Sequence, residues 1–233
     1  MRPPHRLADL AWPDIRDRAA AGALLAVPVG ATEQHGPHLP LSTDTDIAVT
    51  LCDRLAESRA DVLVAPPVPY GSSGEHAGFA GTLSIGREAT ELLLVELGRS
   101  ACETFSRLLF VSTHGGNDAP VTRAVERLRA ESRDVRGFAP SWHGDPHAGR
   151  TETSLMLSLR PLAVRCCRAV TGNTSPLREL MPQLRSCGVR AVSPSGILGD
   201  PTGATGSEGS TLMDALSAAL AWQVEQWHGE EAA

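Results

Sequence analysis

The chain contains no lysine: all 21 of its basic residues are arginine. That absence removes a P-loop lysine, a Schiff-base lysine and a Ser-Lys dyad together. Aromatic residues are scarce, 4% of 233 residues, so a core must rest on Ala, Leu and Val. No apolar run reaches the ~18 residues expected of a membrane-spanning helix, and Met1 to Trp12 lacks the apolar stretch of a secretory signal. The five cysteines are an odd number with no C-x-x-C, which favours reduced thiols in a cytoplasmic protein over disulfides or a thiolate metal site. A formal charge of −6 argues against a nucleic-acid surface. Gly203-Ala-Thr-Gly-Ser-Glu-Gly209 lacks dinucleotide-binding spacing, Gly71-Ser-Ser-Gly-Glu75 lacks the last glycine of a nucleophile elbow, and no H-E-x-x-H occurs.

What is present is an alternation of short apolar runs with longer helical patterns. It predicts an α/β fold in three layers, α/β/α, with a mainly parallel central sheet in one domain spanning 1–233. Strands are expected at Ala23 to Gly30, Val62 to Ala65, Leu108 to Thr113 and Val135 to Ala139. Helices are expected from Pro13, after a cap among Thr43 to Asp46, from Glu88 to Thr104 with Leu93, Leu94 and Leu97 inward, from about Pro120 to Arg133, from Thr151 to Leu159, and from Leu212 to Trp227. Gly172 to Gly209 reads as irregular.

Chemistry gathers where strands end. Glu33-Gln34-His35-Gly36-Pro37-His38 follows the first strand and His114 follows the third, and in parallel sheets such loops build the ligand site. Glu33 and His35, two apart on an extended chain, project to one side and suit a divalent cation. Asp44 can swing back to the same loop, and Glu152 could bring a third carboxylate. Three carboxylates alone would repel one another, whereas two divalent cations with one bridging hydroxide would neutralise them. His38 is expected to orient the loop. His76 reads equally as a substrate contact or an ordinary loop residue.

With Gly30-Ala-Thr-Glu-Gln-His-Gly-Pro-His-Leu-Pro40 and Asp44, then Tyr70-Gly-Ser-Ser-Gly-Glu-His76, Phe79-Ala-Gly-Thr-Leu83, His114-Gly-Gly-Asn117, His147-Ala-Gly-Arg-Thr-Glu-Thr-Ser154 and Gly199-Asp-Pro201, the chain resembles the creatininase family of metal-dependent amidohydrolases. Within it the likeness is greatest to the mycofactocin-system branch. This resemblance implies a peptidase that removes a C-terminal Val-Tyr-derived dipeptide from a modified precursor peptide. It also implies a creatininase-like fold, a homo-oligomer (a hexamer), and two divalent ions, zinc with iron(II) or manganese. Metal ligands would be Glu33, His35, bridging Asp44 and His114.

Creatinine-hydrolysing members carry a glutamate two residues after the His114 equivalent, where this chain has Gly116. Glu152 is the proposed replacement, and the departure counts against creatinine as substrate. One ion would then be held by Glu33, Asp44 and His114, the other by His35, Asp44 and Glu152. His147 and Glu152 are the expected catalytic residues, and the resemblance makes His147 the group that protonates the departing amine. Substrate contacts are expected from Tyr70, Glu75, His76, Asn117 and Trp142. Hydrolysis of a cyclic amide or formamide, and a non-catalytic metal-binding scaffold, are the alternatives.

Overall fold

The computed structural model describes residues 5–140 and 144–230, so Trp142 lies outside the described residues. The apolar run after Ala23 forms β1 (Leu24–Val29), buried throughout. β2 (Val62–Val64) pairs along one side of it and β3 (Arg107–Ser112) along the other, and β4 (Asp134–Phe138) adds to β3. All pairings are parallel, in the order β2-β1-β3-β4. The helices are α1 (Trp12–Ala20), α2 (Thr43–Ser58), α3 (Arg87–Ala101), α4 (Asp118–Ala130), α5 (Arg150–Leu159), α6 (Leu177–Cys187), α7 (Val189–Val192) and α8 (Gly206–Glu230).

Strand side chains alternate between faces, and both faces are apolar. Leu24 and Ala26 of β1, with Leu109 and Val111 of β3, pack on Ile47 and Leu51 of α2, Leu155 of α5, and Met213 and Leu220 of α8. Leu25 and Val27, with Leu108 and Phe110, pack on Leu94 and Val95 of α3 and on Ala124 and Leu128 of α4. This is the three-layer α/β/α arrangement that the alternation predicts. Among the described residues no helix is long and apolar enough to cross a membrane.

Three expectations need correction. Leu93 is exposed; the buried stripe of α3 runs through Thr90, Leu94, Val95 and Gly98 instead. The stretch from Gly172 is not wholly irregular, because α6 and α7 lie within it. Pro182 reads as a breaker since it offers no N–H, yet Pro182 is exposed and Leu180 is the one buried residue of α6, so a carbonyl left unbonded on that outer face can reach water. Finally α8 begins at Gly206 rather than Leu212. Gly209 belongs to the helix because it lies against the Ser154 carbonyl of α5, where no side chain would fit.

Candidate metal centre

β1 and β3 are neighbours and end level, Val29 beside Ser112, so the segments that leave them open at one place. The first carries Glu33 and His35, and the second carries His114. Asp44 and Glu152 sit in the first turns of α2 and α5, where the helix dipole favours a carboxylate. His147 precedes α5 and is pinned by backbone bonds to Leu198, 3.3 Å from its N–H and 2.9 Å to its carbonyl. The next residue, Ala148, is left-handed at φ 53°, a strained position for a residue with a Cβ. That turn lets its N–H donate to Glu152 Oε2 at 2.5 Å.

Five of these side chains, Glu33, His35, Asp44, His114 and Glu152, are buried together. His35 Nε2 lies 3.3 Å from Asp44 Oδ1 and 3.8 Å from Glu152 Oε2. His114 lies 3.2 Å from Glu33 Oε2 through Nε2 and 3.7 Å from Asp44 Oδ2 through Nδ1. His147 Nδ1 is 3.8 Å from Glu33 Oε1. Among the described residues three groups have ligand atoms within 4.8 Å of one another: Glu33–Asp44–His114, His35–Asp44–Glu152 and Glu33–His35–His147. The first two are the sets expected from the sequence, and they share Asp44. Both Glu33 oxygens, His35 Nε2 and Asp44 Oδ2 are buried without a hydrogen-bond partner. Buried polar groups are nearly always partnered, so four such atoms converging on one point suit cations.

The histidines are aimed from behind. His35 Nδ1 meets the Glu33 carbonyl at 3.1 Å, His114 Nε2 the Ser72 carbonyl at 2.9 Å, and His147 Nε2 the Gln34 carbonyl at 2.9 Å. A carbonyl only accepts, so each of these nitrogens carries the proton; the opposite nitrogen of His35 faces Asp44 and Glu152, that of His114 faces Asp44 and that of His147 faces Glu33, while His114 Nε2 also borders Glu33 Oε2.

The electrostatics follow from burial set against neighbouring charge. Burial alone would neutralise His35, yet Asp44 foremost, then Glu152 and Glu33, raise it to about 10. Burial likewise opposes the charged form of His114, which Glu33 and then Asp44 lift to about 10. Burial favours protonation of Glu33, but His114, His76 and His35 outweigh it and hold the carboxyl well below the ordinary range. Burial pushes Glu152 up to about 7. It pushes His76 down to about 4, and drives His147 well below its usual value with help from His35 and His76.

The expected substrate contacts fare differently. Tyr70 is exposed. Glu75 is half-buried, with Oε1 3.7 Å from His114 Nε2. His76 is not a surface contact: it is buried, with Nδ1 2.8 Å from Gln34 Nε2 and Nε2 3.4 Å from Glu33 Oε1. Asn117 is a brace, fully buried, whose Oδ1 accepts from Ser72 N–H and whose Nδ2 donates to the Gly30 carbonyl, both at 2.9 Å. His38 does orient its loop, through Thr153 Oγ1 at 2.9 Å. A Cβ on Gly116 would overlap the Ser72 carbonyl, His114 Nε2 and Glu75 Oε1, so this site has no room for a glutamate there. Gln34 and Ala148 border the cluster without having been singled out; their only sequence signal is adjacency to a candidate ligand or to His147. A cavity of about 200 Å³, lined by Asp44, Ser112, His114, Pro146, His147 and Glu152 among others, opens onto the cluster.

The family model described as creatininase, creatinine amidohydrolase, matches residues 8–224. A protein of Mycolicibacterium smegmatis named mycofactocin precursor peptide peptidase is 51% identical over 211 residues, covering 88% of this chain and 85% of that one. A solved creatinine amidohydrolase (creatininase) superposes with a TM-score of 0.83 at 25% identity, covering 95% of this chain and 97% of its own. A structure titled as the manganese form of creatininase gives a TM-score of 0.83 at 24% identity, covering 96% of this chain and 98% of its own.

Proposed function

The chain belongs to the creatininase family, and its mycobacterial relative is named a precursor peptide peptidase; we propose that this chain is a two-metal peptidase that removes a C-terminal dipeptide from a modified precursor peptide. The observation that carries the metal reading is the set of buried, unpartnered atoms on Glu33, His35 and Asp44. Glu33, Asp44 and His114 would hold one divalent ion, and His35, Asp44 and Glu152 the other. Oxygen and nitrogen donors without thiolate suit zinc, iron(II) or manganese. Bound there, the ions would supply Lewis acidity toward an amide carbonyl and toward water.

Glu152 replaces the glutamate for which Gly116 leaves no room, and the Ala148 N–H fixes its orientation. His147 carries the proton, and Nδ1 is the working atom because Nε2 is engaged by the Gln34 carbonyl. Burial keeps His147 neutral, so it first accepts a proton at Nδ1 from the attacking water and then delivers it to the leaving nitrogen. Asn117 stays behind the site, locking the backbone at Gly30 and Ser72. The chain works as a homo-oligomer, a hexamer on the family resemblance, which light scattering tests directly.

The test is mass analysis of products after the zinc- or manganese-treated protein is incubated with the modified precursor peptide, with unmodified Val-Tyr peptides and with small cyclic amides. Release of a two-residue fragment from the first supports the reading. Turnover of the cyclic amides alone overturns it.

A further inference from the structure

Three histidines of the centre share one arrangement and the fourth reverses it. His35, His114 and His147 each rest one nitrogen on a backbone carbonyl. His76 instead meets a side-chain amide, with Gln34 Nε2 2.8 Å from its Nδ1. Two backbone groups independent of any histidine fix which way that amide points. Gly36 N–H donates to Gln34 Oε1 at 2.9 Å, and Gln34 Nε2 donates to the Gly196 carbonyl at 3.0 Å. The nitrogen end therefore faces His76 Nδ1 and also lies 3.1 Å from His147 Nε2. One amide proton goes to the Gly196 carbonyl, and since His147 Nε2 gives its own proton to the Gln34 carbonyl, the other goes to the nearer His76 Nδ1, which accepts. Its one remaining proton lies on Nε2, 3.4 Å from Glu33 Oε1. His76 is also absent from every ligand group of the cluster.

Resting on the metal-hydrolase reading above, we propose that Gln34 is a positioning residue: it fixes His76 as an N–H donor facing Glu33, while its carbonyl turns His147 Nδ1 toward the reaction. A residue between two candidate metal ligands thereby orders two rings whose centroids lie 4.5 Å apart at a tilt of 50°. His76 then steadies the Glu33 carboxylate without competing for a cation. With the proton on Nδ1 instead, a bare Nε2 would face Glu33 and repel it. The arrangement also accounts for Gly196, which sits at φ 81° and where any Cβ would overlap the Gln34 amide. Three segments distant in sequence (the loop after β1, the His76 turn and the approach to Leu198) are joined through this one side chain.

Nitrogen-15 spectra of histidine-labelled, zinc-treated protein read the proton positions without reference to turnover. The wild type should show His76 with a bare, hydrogen-bonded Nδ1 and a protonated Nε2. Gln34→Glu keeps the shape but replaces the donor by an acceptor, and should move the proton to Nδ1. A wild-type spectrum with Nδ1 protonated, or a Gln34→Glu spectrum with Nδ1 still bare, overturns the assignment. Gln34→Met, which can neither donate nor accept in this way, should weaken zinc binding about 10- to 100-fold in a chelator competition, the usual loss for an outer partner of a metal ligand. Unchanged zinc affinity refutes the positioning role. Wild-type protein that shows the expected proton positions yet cuts no peptide sinks the peptidase reading and leaves this assignment standing.

Discussion

The outer surface of α3 and α4 and the centre at the carboxyl ends of β1 and β3 both hold acids beside bases, but the bases differ. On the surface the partners are arginines: Arg123 lies 2.5 Å from Glu91, while Arg99 and Arg133 share Glu131. In the centre the partners of Glu33, Asp44 and Glu152 are histidines. An arginine cannot give up its proton, so a buried Arg–Glu pair would be permanent. A histidine can, and its nitrogen then becomes a ligand. Without metal, His35 and His114 neutralise the carboxylates as imidazolium; on the proposed metal reading, bound ions would take over that role. The contrast separates ion pairs that finish a surface from ion pairs that hold a place.

The largest effect should come from the carboxylate that both ligand sets share. Asp44→Ala should strip both ions and abolish turnover, read as metal content per chain alongside peptide cleavage. Full metal content in that variant would break the view of Asp44 as the bridge. His147→Ala should separate the two jobs within the centre: metal retained, and the rate down ~10²–10⁴-fold, the usual share of a proton-transfer group. An unchanged rate would hand protonation to another group.

Proton exchange sharpens the comparison further. His35 and His114 are held near 10, so at neutral pH each must lose a proton before it can ligate. Below that value, metal affinity should climb up to about 100-fold per pH unit, tenfold for each such ligand. Calorimetry in buffers of different ionisation enthalpy should count about two protons released per chain near pH 8. In the metal-free protein the sign reverses. A histidine whose folded value is raised contributes stability that is complete below its unfolded value of about 6.5 and is lost as pH rises toward 10. Metal-free protein should therefore melt progressively lower from pH 7 to 10 in thermal scans while the loaded protein resists. Equal losses in both forms would mean the histidines are not exchanged for metal.

Much of this was legible in the sequence, for definite reasons. Buried parallel strands read as continuous apolar runs, which is why β1, β2 and β3 were found within a residue of their ends. The clustering of the candidate ligands was legible because Glu33 and His35 flank a single residue at a strand end and Asp44 opens a helix. What stayed hidden depends on neighbours far along the chain. Whether His76 donates or accepts is set by an amide that Gly36 and Gly196 orient, and nothing near residue 76 records it. Asn117 looked like a substrate contact because polar residues after a strand often are; only the closeness of Gly30 and Ser72 makes it a brace. α6 was obscured by Pro182, and the start of α8 by glycines that let two helices touch.

The smallest effect belongs to the surface. Exposed ion pairs sit in high dielectric, and ordering two long side chains offsets much of their attraction. Arg99 holds Glu131 down to about 2, but that reflects a local contact in solvent rather than a contribution to the fold. Arg99→Ala should leave the melting midpoint, zinc affinity and cleavage rate unchanged within error, and added salt should alter none of them differently from the wild type. A weakened zinc affinity in that variant would mean that surface charge reaches the centre. The two regions would then have to be treated as one electrostatic system, and the histidines' ability to give up their protons could no longer be assigned to their buried neighbours alone.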